Sequence, residues 1–386
     1  MPLYFSESTT GAPWVSAPTA SPPWIAEIRD NTVKKDDRYR DLLQGYEYTA
    51  GDPSTRTYNV PRAVVDPGGT NETIFAHDLG SRGTGVTGYR KKGASWEPVD
   101  ETVGYLVNFL HSSPVNEPLF AVTEMQCKQL TSSGNCEQWS SLRLYNRRKE
   151  IVHPLPEGAT FACVVEASNG PEILIYGQPP DRKSLQEDWL FRWNTSGTTQ
   201  IKLPHQRNRG HYETVLTCTG RHAFLIDMAQ VPIPGKQKEF LPGHFAPETR
   251  NELRIARIDE GQVRQLPPVP SDGQLVRRAI ASASGALYML FESGVGSGEV
   301  STVKRLAKNG TWTEVAPAPP PSGHRCAVHD LALDGETLFA IEACWGDTRA
   351  QRERGDYPSL GRLVSTRAFG GKPAALDGYY SVFHHF

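Results

Sequence analysis

The sequence lacks the features that mark several large protein classes. No apolar run approaches the roughly 18 residues that a membrane-spanning helix needs, and no Gly-X-Y period indicates a collagen-like chain. The 41 basic and 43 acidic residues nearly cancel, so the charge needed for nucleic-acid binding is missing. A small net charge together with 9% aromatic residues argues against a disordered chain. We therefore expect a folded protein whose partners include neither nucleic acid nor membrane.

The N-terminus also lacks the basic and apolar regions of a secretory signal peptide. This absence predicts a cytoplasmic location by default. Two alternatives stay open: a secreted chain to which Met1 was added, or an export route that needs no such signal.

Cysteine is scarce, with six residues in 386. Cys127 and Cys136 bracket a polar loop, whereas Cys326 and Cys344 flank a hairpin turn almost symmetrically, and either pair suits a disulfide. The remaining two cysteines lie in strand-like runs. Six reduced thiols and one or two disulfides both fit this pattern. No CxxC pair or His/Cys cluster has zinc-like spacing, so we predict neither a metal nor a cofactor.

Turn residues are abundant, with 35 Gly and 30 Pro, and they separate short apolar runs that recur about every fifty residues. The starts of successive runs are 45, 54, 50, 64, 51 and 41 residues apart. Each run follows a tight turn and another strand-like stretch, which predicts a hairpin of two inner strands, A and B. More polar, alternating segments between these hairpins predict two outer strands, C and D. The B runs begin at Ile74, Leu119, Ile173, Ala223, Leu287, Leu338 and Tyr379.

A repeated unit of four antiparallel strands predicts an all-β fold, a β-propeller of four-stranded blades. Seven B runs favour seven blades, with six as the next choice and two β-sandwich domains as the alternative. We expect residues 45–386 to form a single propeller domain and residues 1–44 to form a Pro-rich arm and a charged segment outside it. The hairpin Gly45–Pro61 and the last B strand are expected to close the ring with strands from both termini.

Two segments resemble outer strands of known propeller repeats: Asn309-Gly-Thr-Trp-Thr-Glu-Val-Ala-Pro317 and Gly93-Ala-Ser-Trp-Glu-Pro98. The sequence resembles propeller repeats of the kelch and sialidase-like (BNR) kind over residues 45–386. The Gly-Gly that follows the B strand in kelch blades and the sialidase Asp box are both absent. The resemblance therefore implies an architecture and transfers no functional residue.

The connections differ sharply in length. The A-B and C-D turns are tight, whereas the B-C connections are long. Long connections in compact domains usually carry function, so we expect binding or chemistry at the end of the blades where the B-C and D-A connections lie. The long connections are Met125–Trp139, Gln178–Asp188, Met228–Asn251 and Trp345–Gly361.

Polar and aromatic residues collect at this end of the predicted blades, in two D-A connections, at the ends of B strands and in the connection Trp345–Gly361. His211, Tyr212 and Arg209 are the predicted catalytic residues if the protein is an enzyme. The other predicted residues bind ligand, because Arg and Asp hydrogen-bond hydroxyls or carboxylates and aromatic rings stack on sugars. These ligand-binding residues are Arg207, His77, Asp78, His324, Arg325, Trp345, Asp347, Arg349 and Tyr357.

Three functions are open on this evidence. The first is recognition of a carbohydrate or another small polar ligand, without chemistry. The second is a uronate lyase, in which Arg neutralises the carboxylate while His and Tyr move the protons. The third is a scaffold that binds another protein.

A glycosidase is a further enzyme class to weigh, and it needs two carboxylates a set distance apart. The available carboxylates are Asp78, Asp227, Glu292 and Glu342. Ordinary structural roles are open to all of these residues: loop Arg residues as solvated charges, His329 packed in its sheet, and the acids capping backbone N–H groups.

Overall fold

The computed structural model describes strands and turns in most of the chain. It describes residues 3–8, 24–29, 32–35, 47–49, 56–58, 63–65, 73–78, 85–93, 95–103, 105–110, 112–130, 136–146, 148, 150–177, 188–203, 211–266, 269–270, 274–293, 300–315, 318–346, 360–365, 373–376 and 380–384. None of the described segments is a helix with the length and apolar character needed to cross a membrane.

The described part contains 31 strands. They are β1 (Leu3–Ser8), β2 (Trp24–Arg29), β3 (Thr32–Lys35), β4 (Glu47–Thr49), β5 (Arg56–Tyr58), β6 (Ala63–Val65), β7 (Thr73–Asp78), β8 (Gly85–Lys92), β9 (Ser95–Val103), β10 (Tyr105–Leu110), β11 (Leu119–Leu130), β12 (Cys136–Tyr145), β13 (Ile151–His153), β14 (Ala159–Ala167), β15 (Gly170–Gly177), β16 (Trp189–Asn194), β17 (Gly197–Ile201), β18 (His211–Thr219), β19 (His222–Leu241), β20 (His244–Asp259), β21 (Gln262–Gln265), β22 (Val269–Pro270), β23 (Leu275–Ala281), β24 (Leu287–Ser293), β25 (Val300–Leu306), β26 (Trp312–Val315), β27 (His324–Asp334), β28 (Thr337–Gly346), β29 (Leu360–Ser365), β30 (Ala374–Leu376) and β31 (Tyr380–His384).

Consecutive strands pair antiparallel in a repeated pattern of four. Among the described residues, the sheets β6–β9, β10–β13, β14–β17, β23–β26 and β27–β30 each contain four strands in chain order. The sheet β18–β21 has the same order, and the short β22 pairs with β20. Repetition of four-stranded antiparallel sheets is the plan of propeller blades. The all-β, propeller-like class predicted from the sequence is confirmed.

Burial separates inner from outer strands as the sequence predicts. In β15 the run from Ile173 to Tyr176 is at most 1% exposed, so this strand is covered on both faces. In β17 four of five residues are exposed. In this sheet the apolar A-B hairpin is therefore the covered part, and the polar C-D hairpin forms the outer edge.

The N-terminal segment departs from the prediction. Strands β1, β2 and β3 form a sheet with β31 in the order β3-β2-β1-β31, so an extended arm is the wrong description for these residues. The five prolines of residues 1–44 lie before and between β1 and β2 rather than inside the described strands, so the Pro-rich composition hid these strands. Strands from both termini do share one sheet.

Two further details of this region differ from expectation. The hairpin Gly45–Pro61 forms as β4 and β5, but in the described residues these strands pair only with each other. The last B run forms β31, which pairs with β1. It therefore lies at the edge of its sheet, in the position of an A strand, and not one strand in from the edge as a B strand would.

The chain divides into two compact units. The first contains residues 1–111, 118–154 and 316–386, and the second contains residues 112–117 and 155–315. In the first unit, β2 packs on the β27–β30 sheet through a core that includes Ala26, Ile28, Phe339 and Ile341. In the second unit, two further cores join β14–β17 to β18–β21 and β18–β21 to β23–β26.

Several A-B and C-D turns are tight, as predicted, with pairs such as Thr219 with His222 and Asn194 with Gly197 closing them. Other turns of the same kind are longer, and residues 111–118 separate β10 from β11. Two of the predicted long connections are largely strand. Of Met125–Trp139, residues 125–130 belong to β11 and residues 136–139 belong to β12. Residues 228–251 continue β19 and β20 as a long antiparallel hairpin, most of whose residues are exposed. Near its tip Leu241 and Phe245 are 57% and 60% exposed.

Candidate functional site

Predicted ligand-binding residues meet where β27 begins and β28 ends. Antiparallel pairing places His324 opposite Gly346 and Arg325 opposite Trp345. This is the end of the sheet from which the long connection after Trp345 leaves. The structure therefore brings together Arg325 and Trp345, which are 20 positions apart in the sequence.

Arg325, His329 and Trp345 form what we term the Trp345 platform. The Arg325 guanidinium carbon lies 5.7 Å from the centre of the Trp345 ring, within cation–π range. The His329 ring lies 5.9 Å from the same indole, tilted by 49°. All three residues are half-buried, so part of the platform faces solvent, whereas the Arg325 Nε and His329 Nε2 atoms are buried. The arrangement offers an aromatic surface with basic groups around it.

A disulfide joins the residues next to this pair. Cys326 and Cys344 stand directly opposite each other in the register and are bonded, as one of the sequence alternatives proposed. Because side chains alternate between the faces of a strand, the disulfide lies on the face opposite to Arg325 and Trp345. It ties together the two strands that carry the platform.

A buried ion pair supports the same strands from β29. Glu342 and Arg362 are cross-strand neighbours, 2% and 4% exposed, and the Arg362 Nε donates to a Glu342 carboxylate oxygen at 2.5 Å. The other guanidinium nitrogens donate to the carbonyls of Pro319 and Ala318 at 2.7 and 2.8 Å. Arg362 thus holds the proline segment that leads into β27.

Burial raises the pKa of Glu342, and the charge and hydrogen bond of Arg362 oppose that effect in part. Glu342, one of the four carboxylates considered for a glycosidase, is therefore part of a structural ion pair. Sequence reasoning missed Arg362, because only the strand register reveals that it faces Glu342.

The raised pKa gives a pH-dependent prediction. Folded Glu342 holds its proton more tightly than the unfolded chain does, so its contribution to stability falls as pH rises from the ordinary value of 4.5. We expect the free energy of unfolding of wild type minus that of Glu342→Gln to decrease from pH 4 toward neutrality, as measured by denaturant titration. A difference that rises with pH would contradict this assignment.

A second polar group lies in the other unit and comes from the end of β15, the residue before β16, the start of β18 and the interior of β19. The Tyr176 hydroxyl donates to Asp188 at 2.7 Å and lies 3.3 Å from the Thr214 hydroxyl. Thr214 in turn donates to Asp227 at 3.2 Å, and Asp227 is 1% exposed. Two carboxylates are thereby connected through two hydroxyl groups. We term these four residues the Asp227 chain.

The sequence analysis singled out Asp227 but not the other three residues of the Asp227 chain. Tyr176 lies in an apolar run and Thr214 in an ordinary strand-like run, so nothing in the local pattern distinguished these two residues. Asp188 lies at the end of a connection whose path the sequence does not reveal.

The opposite, tight-turn end of the β18–β21 sheet holds a different cluster. The His222 Nδ1 and the Arg257 Nε both contact Asp259, at 2.8 Å each. Burial disfavours the ionised Asp259, but these hydrogen bonds outweigh it and lower the pKa of Asp259. The ring of His222 packs beside the Gly285 turn of the next sheet. This cluster therefore joins neighbouring turns.

The remaining predicted site residues are only partly described. His211 and Tyr212 begin β18, and His77 and Asp78 end β7, but the described part does not extend to their side chains. Glu292 forms an ion pair with Arg277 at 2.9 Å. Five residues lie outside the described residues: Arg207, Arg209, Asp347, Arg349 and Tyr357.

The disulfide prediction has a mixed outcome. Besides Cys326–Cys344, a bond joins Cys163 of β14 to Cys218 of β18, a pairing that the sequence analysis did not anticipate. The proposed Cys127–Cys136 bond falls on side chains outside the described part.

No protein-family model matches the sequence, and no curated protein matches it either. Solved structures with a similar arrangement include a candidate 6-phosphogluconolactonase from Bacteroides fragilis, at 11% identity and a TM-score of 0.43 over 100% of this chain and 98% of that one. A second candidate 6-phosphogluconolactonase, from Bacteroides uniformis, shares 11% identity at a TM-score of 0.46, covering 99% of both chains. TolB from Acinetobacter baumannii matches 80% of this chain and 62% of its own at 11% identity and a TM-score of 0.37.

Proposed function

We propose that the seven four-stranded sheets are the blades of one closed propeller, with the β3-β2-β1-β31 sheet joining the two termini. Within the first unit, β31 contacts both β27 and β6, so this sheet has a neighbour on each side. Within the second unit, β18 contacts both β14 and β23, so the first strands of three consecutive sheets are neighbours. We also propose that the repeats are of the kelch-like or sialidase-like kind.

We propose that the protein recognises a carbohydrate or another polar ligand at the Trp345 platform. The observation that carries this proposal is the Arg325 guanidinium placed 5.7 Å from the centre of a half-buried indole, with a second basic ring beside it. An indole stacks on the apolar face of a sugar. A guanidinium donates paired hydrogen bonds to carboxylates or adjacent hydroxyls.

The chemistry of the platform favours a ligand that carries a carboxylate. Its described polar groups, Arg325 and His329, are both basic. The sheet also holds two buried acids, Asp330 next to His329 and Glu342, and Glu342 is paired with Arg362. We therefore expect sugars with a uronic acid or a similar carboxylate to bind more tightly than neutral sugars.

Rigidity supports a binding role. The Cys326–Cys344 bond joins the two strands of the platform, and Arg362 holds the segment before β27 through two carbonyls. A site fixed before the ligand arrives loses less conformational entropy on binding. Such a platform needs no chemical step to be useful.

A glycan array tests this function directly. We expect wild type to bind carboxylate-bearing glycans and Trp345→Ala to lose that binding, because the stacking surface is removed. Arg305→Ala is the matched control: Arg305 lies 5.8 Å from the Tyr288 ring in an equivalent cross-strand pair on another sheet. Equal binding by wild type and Trp345→Ala would contradict the proposal.

A uronate lyase is the second candidate, and the Asp227 chain is the observation that favours it. Thr214, three residues after His211 on β18, belongs to a buried series of hydroxyls and carboxylates. In β-elimination a base takes the C5 proton, the C4–O bond breaks while an acid protonates the leaving oxygen, and a C4–C5 double bond forms. Ultraviolet absorbance of the unsaturated product tests this activity with uronic-acid polysaccharides. Product that disappears in His211→Ala supports the lyase.

Binding without product supports recognition alone. A protein that neither binds glycans nor releases product would instead fit the protein-binding scaffold.

A further inference from the structure

We propose that reduction of the Cys326–Cys344 disulfide creates a binding site for a thiophilic divalent cation such as Zn²⁺. The two sulfur atoms and a Glu342 carboxylate oxygen all lie within 4.8 Å of one another. Thiolate and carboxylate groups are both established zinc ligands. This proposal is independent of ligand recognition at the Trp345 platform.

The strand register explains why these three groups converge. Cys326 pairs with Cys344, and the next pair on the same face is Val328 with Glu342. Residues two apart on a strand point to the same side, so Glu342 and Cys344 share a face with Cys326. The ligands come from two strands, which is why their spacing along the chain resembles no zinc motif.

Charge also favours a divalent cation in this position. Two thiolates and one carboxylate carry three negative charges, and the buried Arg362 beside Glu342 carries one positive charge. A divalent ion brings the buried group to neutrality. Buried charges are tolerated when they are compensated in this way or coordinate a metal.

His324 lies near this site without joining it. It stands two residues before Cys326, on the same face of β27, and its Nδ1 lies 3.1 Å from the carbonyl oxygen of Ser322. Its ring nitrogens are not among the ligand atoms that lie within 4.8 Å of one another. The protein therefore supplies three ligands and leaves the fourth tetrahedral position to solvent.

The chemical step balances with an external thiol as reductant. A thiolate attacks the sulfur of Cys326, the more exposed cysteine of the pair, and the Cys326–Cys344 bond breaks. A second thiol resolves the mixed disulfide, so two external thiols become one disulfide and the protein gains two thiols. Binding of the cation then releases the two thiol protons to solvent.

Cobalt titration of the full-length protein tests the site. After reduction with a phosphine, we expect one equivalent of Co²⁺ to give the thiolate-to-metal absorption that tetrahedral sulfur ligands produce, and Zn²⁺ to displace it. The oxidised protein is expected to give no such absorption. Cys326→Ser/Cys344→Ser should lose it, whereas Cys163→Ala/Cys218→Ala should keep it.

Variants of the carboxylate ligand sharpen the test. We expect Glu342→Gln to weaken zinc binding at least tenfold and Glu342→Asp, which keeps a carboxylate, to weaken it less. Absorption that persists in Cys326→Ser/Cys344→Ser, or affinity unchanged in Glu342→Gln, would overturn the assignment.

Discussion

Replacement of Arg362 by methionine is expected to lower the free energy of unfolding by about 3–5 kcal/mol, the usual cost of leaving a buried charge without its partner. Glu342 is 2% exposed and receives a hydrogen bond from Arg362. The variant also removes the donors to the carbonyls of Ala318 and Pro319. Denaturant-induced unfolding, followed by circular dichroism, measures the difference.

The double variant Glu342→Leu/Arg362→Met is the control for this prediction. It removes the carboxylate together with the guanidinium, so no charge is left buried alone. We expect it to be more stable than Arg362→Met, although still less stable than wild type because the two hydrogen bonds to the carbonyls are lost. A double variant less stable than Arg362→Met would contradict the account of the ion pair.

Removal of the Cys163–Cys218 disulfide has the second large expected effect. The bond joins β14 and β18 across 55 residues, within the core shared by their two sheets. Closure of a loop of this length restricts the unfolded chain by about 4 kcal/mol in the chain-entropy model. We expect Cys163→Ala/Cys218→Ala to lose about 2–4 kcal/mol of unfolding free energy, measured under oxidising conditions.

The corresponding control uses a reductant. The reductant should lower the unfolding free energy of wild type. It should lower that of Cys163→Ala/Cys218→Ala by less, because the variant has no Cys163–Cys218 bond to lose. If the variant matches oxidised wild type in stability, the bond does not constrain the unfolded chain as proposed.

Much of the fold could be predicted because its signal is local. The run from Ile173 to Tyr176 is apolar at every position, and such a run is typical of a strand covered on both faces. Tight turns such as that between Thr219 and His222 follow from Gly and polar residues at fixed positions. The N-terminal strands were missed because prolines outside the strands dominated the composition of that segment.

The candidate site was harder to predict because its contacts depend on strand register. The symmetric placement of Cys326 and Cys344 around a turn was sufficient to propose their bond. The neighbouring Arg325–Trp345 contact follows from the same hairpin, but Arg362 comes from the next strand, after a long connection. Contacts between sheets, such as Tyr176 with Thr214, leave no trace in a single sequence.

The most direct test of ligand recognition at the Trp345 platform is calorimetric titration of the protein with the tightest-binding carboxylate-bearing glycan. Loss of the indole surface and of the Arg325–Trp345 contact should weaken binding roughly tenfold or more in Trp345→Ala, since about 1.4 kcal/mol corresponds to a factor of ten. Arg325→Ala is expected to weaken binding as well, whereas the matched Arg305→Ala should leave the dissociation constant unchanged. A dissociation constant that is the same in wild type and Trp345→Ala would show that this platform does not bind the ligand.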